Sequence, residues 1–445
     1  MKIFYEKFIY WFEKYLVVFV LGGFIVGIVG AKYSQGLTDI VNDLLDAFMN
    51  AYSYLAPVAI FIILTPALTK LFASRSMGKF GMFVIRWYAI RKILAAFWAV
   101  IFMAIVLRLP LLPEHSASVA DAITQTLKSL GVMAVTSPYF WAMYAAIIMS
   151  LVSLRVKWIF NIFDRILNGV ENGGKFFIPV MPIFMLGIGA YVYALPQNVA
   201  EQVGLTAEGA SILTNLNIWG WQLNPQTSGG MIMIYIVGAL LTALACMLWQ
   251  LVFLYITAKK EKRFSIVTYF KNYWVKVYPL LWATSSEALA TPLNLYLTKR
   301  HAPWVRDNIR RFTIGIGSYM NINGTIINVF VLGAITLAII GFDVSVIELL
   351  LIIPIVFLIS YGVPGIPGEL VLFAGPMALL LNIPEAIVPS FLAIYIGIQI
   401  GLSDSFRTGN NSTDDYIGTI YMNAVYEQKY LGKEEEEIEK NLANT

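Results

Sequence analysis

The chain has few of the residues that form disulfides, bind metals or carry charge. Its 445 residues include one cysteine, Cys246, and two histidines, His115 and His301. A single cysteine excludes an intramolecular disulfide. Without a His-Glu-x-x-His motif or a cysteine cluster, no structural or catalytic metal site is predicted. Charged residues make up only 13% of the chain, which excludes an ordinary soluble domain.

Long apolar runs are abundant instead. Hydrophobic residues make up 58% of the chain, and the mean hydropathy is +0.71. The runs reach membrane-spanning length without alternating, which predicts a polytopic helical membrane protein in a lipid bilayer and excludes a β-barrel. The first run, Tyr15 to Gly30, lacks a convincing cleavage site, so we expect it to be retained. The net charge of +4 requires no nucleic-acid partner.

Basic residues cluster in every second connection between the apolar runs. By the positive-inside rule, this pattern predicts a multi-pass protein of the inner (plasma) membrane with both termini in the cytoplasm. Of the first six predicted spans, the first, second, fourth and sixth lie near residues 15–31, 40–72, 132–154 and 228–258. The third ends near residue 107 and the fifth near residue 195. The acidic end, residues 431–445, is predicted to be a solvated cytoplasmic tail.

Two later apolar segments are interrupted at their centres. Phe264 to Arg300 has a polar centre and basic flanks, whereas Val344 to Leu381 has a Gly/Pro-rich centre and flanks without Lys or Arg. Each predicts a re-entrant hairpin, the first entered from the cytoplasm and the second from outside. The seventh span between them, Phe312 to Phe342, is interrupted by the polar Asn321 and Asn323. Interrupted segments of this kind indicate a transporter site near the bilayer midplane.

Charged residues follow the last apolar run at helical spacing. Asp404, Arg407, Thr408, Asn411 and Asp415 fall at i, i+3, i+4, i+7 and i+11, which is one face of a helix. We call this face the polar stripe. Charges at membrane depth are costly and are kept mainly where they bind a ligand or line a pathway. A guanidinium, a carboxylate and an amide suit a zwitterion with a second carboxylate. The alternative is a set of internal ion pairs.

Four motifs resemble the glutamate transporter family, the dicarboxylate/amino acid:cation symporters. They are TSSEALATP at 284–292, NINGT at 321–325, GVPGIPGE at 362–369 and DSFRTGNNSTDD at 404–415. The resemblance implies an all-α polytopic membrane protein with eight transmembrane helices and two re-entrant helical hairpins, assembled as a homotrimer with an elevator mechanism. It implies scaffold segments at 1–75 and 111–227, and a transport domain made of 76–110 and 228–430.

The resemblance also implies a substrate, an acidic amino acid such as aspartate or glutamate. Arg407 and Thr325 would bind its side-chain carboxylate, Asp404 its α-ammonium group and Asn411 its α-carboxylate. Family members for succinate-type substrates lack this aspartate, so Asp404 favours an amino acid. The other predicted substrate contacts lie on the stripe or at the hairpin tips: Thr408, Ser286, Glu287, Ile366 and Gly368.

The cation sites depart from the family pattern. The aspartate of the family's Asn-Met-Asp-Gly-Thr motif is Asn323 here, and the Thr-Ser pair expected after Tyr88 is replaced by Arg91 and Lys92. One sodium site could remain, and its residues would be Asp415, Asn411, Asn321 and the backbone near Gly317.

Arg91 and Lys92 would place a fixed positive charge where the family binds sodium, which predicts that sodium coupling is weakened or lost. We expect Arg91 or Lys92 to pair with Asp415, and Glu369 or Glu287 to carry a proton instead. The alternative is that Arg91 and Lys92 face the cytoplasmic headgroups.

Other functions stay open from the sequence alone. A sodium-coupled symporter of a dicarboxylate or another amino acid is one, and a non-transporting membrane receptor is another. A membrane-embedded enzyme could use Thr284, Ser285 or Ser286 as a nucleophile. However, no histidine is expected in the core and no Gly-x-Ser-x-Gly turn lies near these residues, so we predict a non-enzyme without an organic cofactor.

Overall fold

A computed structural model describes most of the second half of the chain and parts of the first. The described ranges are 15–34, 75–112, 138–173, 213–284, 287–360, 370–381, 386–399 and 401–431, with single residues and short pieces within 36–69, 135–193 and 383–384. Most of the predicted second and fifth spans, the tip of the second hairpin and the acidic tail lie outside the described residues.

The described part of the first half contains four helices and a β-hairpin. The helices are α1 (Leu16–Tyr33), α2 (Arg75–Leu107), α3 (Pro138–Arg155) and α4 (Lys157–Gly173). The first three coincide with the predicted first, third and fourth spans. Strands β1 (Leu216–Ile218) and β2 (Trp221–Leu223) pair antiparallel. The all-α prediction did not include this short hairpin, whose turn contains Gly220 at φ 94°.

The second half is built from helices of uneven length. Helix α5 (Ser228–Lys260) is the predicted sixth span, capped by the Thr227 side chain, which accepts a bond from the Gly230 amide. Eleven further helical segments follow: α6 (Ile266–Thr268), a π-helix (Tyr269–Trp274), α7 (Val275–Thr284), α8 (Glu287–His301), α9 (Asp307–Met320), α10 (Asn323–Ile339), α11 (Val346–Leu351), α12 (Ile353–Ile359), α13 (Val371–Leu380), α14 (Val388–Gln399) and α15 (Leu402–Lys429).

Several of these helices are suited to a membrane. Within the described residues, three are long and apolar enough to cross one: Lys79–Leu107, Gly229–Lys260 and the broken pair Asp307–Ile339. Shorter apolar helices include Leu21–Tyr33, Tyr144–Arg155, Val346–Phe357 and Ser390–Gln399. The architecture is therefore mostly helical with several membrane-compatible helices. The count of eight spans and two hairpins remains a prediction.

Two helix breaks lie near the buried polar residues. The predicted interruption of the seventh span is confirmed, because α9 ends at Met320 and α10 begins at Asn323. A second break separates α14 from α15 at Gly401, whose φ of 88° favours glycine. Backbone groups freed at such breaks need polar partners, and the Leu402 amide donates to the Tyr235 hydroxyl at 2.7 Å.

Helix α15 is the central element of the described fold. It contacts α5, α7, α8, α9 and α10, and its side chains are buried over most of its length. The two arms on either side of residues 285–286, α7 and α8, contact each other and α15. The polar stripe predicted from the sequence therefore lies at the centre of this half of the molecule.

Candidate functional site

The polar stripe is helical and almost completely buried. Asp404, Arg407, Thr408, Asn411 and Asp415 all lie on α15, and each is at most 2% exposed. Charges removed from water to this extent need close partners, because an unpaired buried ion costs several kcal/mol. The neighbours of each stripe residue therefore indicate what the site can bind.

Arg407 is engaged by one carboxylate and one hydroxyl. Its Nε donates to Asp404 Oδ1 at 2.6 Å, and a terminal nitrogen also pairs with that oxygen. Another terminal nitrogen donates to Thr325 Oγ1 at 2.8 Å. Thr325 thus lies beside Arg407 as predicted. Asp404, predicted to bind an ammonium group, neutralises Arg407 in this structure, so one internal ion pair of the alternative interpretation is present.

Asn411 connects three elements. Its Oδ1 accepts a hydrogen bond from the Gly324 amide at the start of α10, and its Nδ2 donates to Thr325 Oγ1 at 2.9 Å. The same Nδ2 donates to Glu287 Oε1 at 2.7 Å. Gly324 permits this approach because a Cβ there would collide with the Arg407 carbonyl. The predicted contacts Glu287, Thr325 and Asn411 therefore form one group.

The residues predicted to bind sodium also contact one another. Asn321 Nδ2 donates to Asp415 Oδ1 at 2.9 Å and to the Asn411 carbonyl at 3.2 Å. A Cβ on Gly317 would collide with the Asp415 carboxylate and approach the Tyr88 hydroxyl. Asp415 Oδ2 has no hydrogen-bond partner among the described residues. A sodium site at these residues remains a prediction, because the Asn321 amide already donates to Asp415 Oδ1 and to the Asn411 carbonyl.

Arg91 is buried, but its partner differs from the prediction. It is 1% exposed and pairs with Asp414 Oδ2 at 2.6 Å, whereas the predicted partner was Asp415. The reason is helical geometry: adjacent side chains point about 100° apart, and Asp415 is the residue bonded to Asn321.

An aromatic group surrounds the guanidinium of Arg91. The ring of Phe253 lies 3.7 Å from it, and the rings of Trp249 and Trp87 lie 5.9 and 6.0 Å away. On the other side of the pair, Asn323 Nδ2 donates to Asp414 Oδ2 at 3.1 Å. Asn323, which stands where the family motif has an aspartate, therefore stabilises Asp414.

Lys92 is also buried, with 0% exposure, and its Nζ donates to Ser360 Oγ at 3.2 Å. Ser360 directly follows α12 and precedes the tip of the second predicted hairpin. Because neither Arg91 nor Lys92 is exposed, the alternative that they face headgroups is wrong.

Several buried groups had no role predicted from the sequence. Asp414 could have been recognised, since it follows Asn411 by three residues. Two further networks join α15 to its neighbours: Tyr273 donates to Asn294 Oδ1, Asn294 donates to Ser412 Oγ at 2.6 Å, and Gln250 donates to Thr413 Oγ1 at 2.8 Å. Nothing in their spacing signals these contacts, because they join distant parts of the chain.

The remaining predicted contacts are less informative. Thr408 donates to the Asp404 carbonyl at 2.8 Å, a bond within its own helix. Ser286, Ile366, Gly368 and Glu369 lie outside the described residues. In the described part of the chain, no group of three or more His, Cys, Asp and Glu side chains could hold a metal ion.

One comparison with known families bears on this site. Residues 223–425 match the model of the sodium:dicarboxylate symporter family. The matched stretch begins at the end of β2 and includes α5 to most of α15, hence all the site residues described above except those on α2. The match confirms the resemblance that the four motifs indicate.

Proposed function

Starting from the sodium:dicarboxylate symporter family match over residues 223–425, we propose that this integral membrane transporter carries an acidic amino acid, aspartate or glutamate. The carrying observation is the buried group formed by Arg407, Asp404, Thr325 and Asn411. A guanidinium and an amide can bind two carboxylates, and an aspartate can bind an ammonium group. Binding would exchange the internal Asp404–Arg407 pair for pairs with the substrate.

The proposed movement is an elevator within a homotrimer in the inner (plasma) membrane. Its support is that helices of the predicted transport domain, 228–430, pack around one helix, α15. A domain packed around its own binding site can carry that site as a unit. In this proposal the second hairpin is the outer gate, and the scaffold is formed by 1–75 and 111–227.

The proposed coupling to sodium is weak or absent. Arg91 neutralises Asp414, and its charge also acts on the neighbouring Asp415, while Asn323 supplies an amide in place of a carboxylate. If one sodium ion binds, Asp415, Asn321 and Asn411 would hold it, and it would contribute only charge neutralisation. Glu287, or Glu369 outside the described residues, would carry a proton instead.

The test is uptake of labelled aspartate and glutamate into sealed proteoliposomes, with binding measured in parallel. Arg407→Ala should abolish both, because a substrate carboxylate buried without a partner costs several kcal/mol. Arg86→Ala removes an exposed arginine from α2 and should leave both unchanged. Unaltered aspartate binding in Arg407→Ala would refute the site. Binding without uptake would favour a receptor, and a chemically altered substrate would favour an enzyme.

A further inference from the structure

Helix α4 is too polar to span a membrane, yet it carries exposed apolar side chains. It follows α3, the helix of the predicted fourth span, with one residue between them. Its first ten residues, 157–166, include three charged side chains and an asparagine among six apolar ones. Such a mixture is typical of a helix that lies in the surface of a bilayer rather than across its core. The contacts on each side of α4 therefore decide its role.

One side of α4 packs on the rest of the protein. The rings of Phe163 and Phe61 pack edge to face with their centroids 5.2 Å apart. Asp164 pairs with Arg311 of α9 at 3.4 Å, and the helix also contacts α8. These contacts fix which side of α4 faces away from the protein.

The outward side of α4 presents two neighbouring strips of exposed side chains. Residues four apart lie above one another on a helix, and two such series that differ by one residue lie side by side. One strip is apolar and the other is polar with two basic residues: Trp158, Ile162 and Ile166 form the apolar strip, and Lys157, Asn161 and Arg165 the basic strip. All six side chains are exposed, whereas those at positions 159, 160, 163 and 164 are partly buried.

An anionic phospholipid fits both strips at once. Its acyl chains would cover the apolar strip, where Trp158 is a residue type favoured at the membrane interface. Its phosphate would accept hydrogen bonds from Lys157 and Arg165. Arg155, the last residue of α3, is a third exposed basic residue next to them. Among the described residues, none of these three basic side chains takes part in an ion pair.

The predicted topology places this connection on the cytoplasmic side, where the leaflet contains anionic lipids. We propose that α4 is an interfacial helix that binds an anionic phospholipid of the cytoplasmic leaflet through Lys157 and Arg165. The site is separate from the polar stripe, and the proposal does not depend on which substrate is carried.

The experiment measures which lipid lies against Trp158. The purified full chain is reconstituted into phosphatidylcholine vesicles that contain the same small fraction of either brominated phosphatidylglycerol or brominated phosphatidylcholine, because bromine quenches tryptophan fluorescence at contact. Subtracting the result for Trp158→Phe isolates the signal of Trp158 from that of the other tryptophans. Phosphatidylglycerol should bind there at least about fivefold more tightly, the factor that one Lys or Arg contributes at an anionic surface.

Charge variants identify the source of this preference. Lys157→Gln combined with Arg165→Gln should reduce it to within about twofold, whereas Lys157→Arg combined with Arg165→Lys should keep it. Arg108→Gln removes an exposed charge next to the predicted outer end of α2 and should also keep it. Added salt should weaken the wild-type preference, since salt screens exposed charges.

Three results would overturn the inference. Equal quenching of Trp158 by the two lipids would show contact with the bilayer without selection of negative charge. No quenching by either lipid would show that protein, such as a second copy of the chain, covers this side of α4. A preference that survives the removal of Lys157 and Arg165 would place its source elsewhere. Thermal melting checks that the variants fold. If the double Gln variant does not fold, the salt titration of wild type decides, and a preference unaffected by salt would contradict the proposal.

Discussion

The buried pair Arg91–Asp414 allows a quantitative test of the charge arrangement beside the stripe. Arg91 is 1% exposed, and its guanidinium lies 2.6 Å from Asp414 Oδ2. Replacing Arg91 by Met retains the apolar stem and removes the charge. It leaves Asp414 buried next to Asp415 with the Asn323 amide as its donor. We expect a loss of about 3–5 kcal/mol in the free energy of unfolding.

The opposite change should cost less. Asp414→Asn leaves a guanidinium that still lies against the Phe253 ring at 3.7 Å, and a desolvated cation–π contact contributes about 2 kcal/mol. We therefore expect this variant to lose roughly 2–3 kcal/mol. The double variant lacks both charges of the pair, so its loss should be only about 1 kcal/mol. The two substitutions should thus show a coupling of at least about 4 kcal/mol.

The assay is reversible unfolding in mixed detergent micelles, followed by tryptophan fluorescence. Arg86→Met removes an exposed charge from the same helix and should change the free energy of unfolding by less than about 0.5 kcal/mol. Losses that simply add in the double variant would refute the reasoning. So would an Arg91→Met variant as stable as wild type.

Three further predictions concern stability. Gly324→Ala should lose more than about 2 kcal/mol, since its Cβ would collide with the Arg407 carbonyl, whereas Gly375→Ala has open space and should be neutral or slightly stabilising by thermal melting. Tyr273→Phe removes the hydroxyl that donates to Asn294 and should cost about 1–3 kcal/mol in the same assay. Burial, with nearby Lys276 and Arg300, lowers the pKa of His301 to about 4. As the pH falls, the histidine of the unfolded chain gains its proton first, near pH 6.5. The free energy of unfolding should therefore fall between pH 6.5 and 4, by about 1 kcal/mol after allowance for solvent screening. His301→Gln should remove that fall.

Much of the central site could be predicted because it depends on one helix. The spacing from Asp404 to Asp415 specified which side chains share a face, and the structure confirms that α15 is helical there. The break at Asn321 was also predictable, since polar residues interrupt an apolar run. Local periodicity was sufficient in both places.

The partners of the charges could not be predicted in the same way. Arg91 pairs with Asp414 rather than Asp415 because the choice depends on how α2 is rotated against α15. The aromatic group around Arg91 combines residues of α2 and α5, and the contact between Glu287 and Asn411 joins α8 to α15. Such contacts depend on packing between distant segments, which spacing within one segment does not specify.

The central claim is that the polar stripe binds an amino acid without sodium as the coupling ion. The most direct measurement is calorimetric affinity for aspartate in sodium chloride and in choline chloride, at equal ionic strength and pH. The buried charge of Arg91, which acts on Asp415 as well as on Asp414, and the amide of Asn323 predict affinities that agree within about twofold, because an ion that is not bound contributes no coupling free energy. An affinity that rises steeply with sodium concentration would contradict the account.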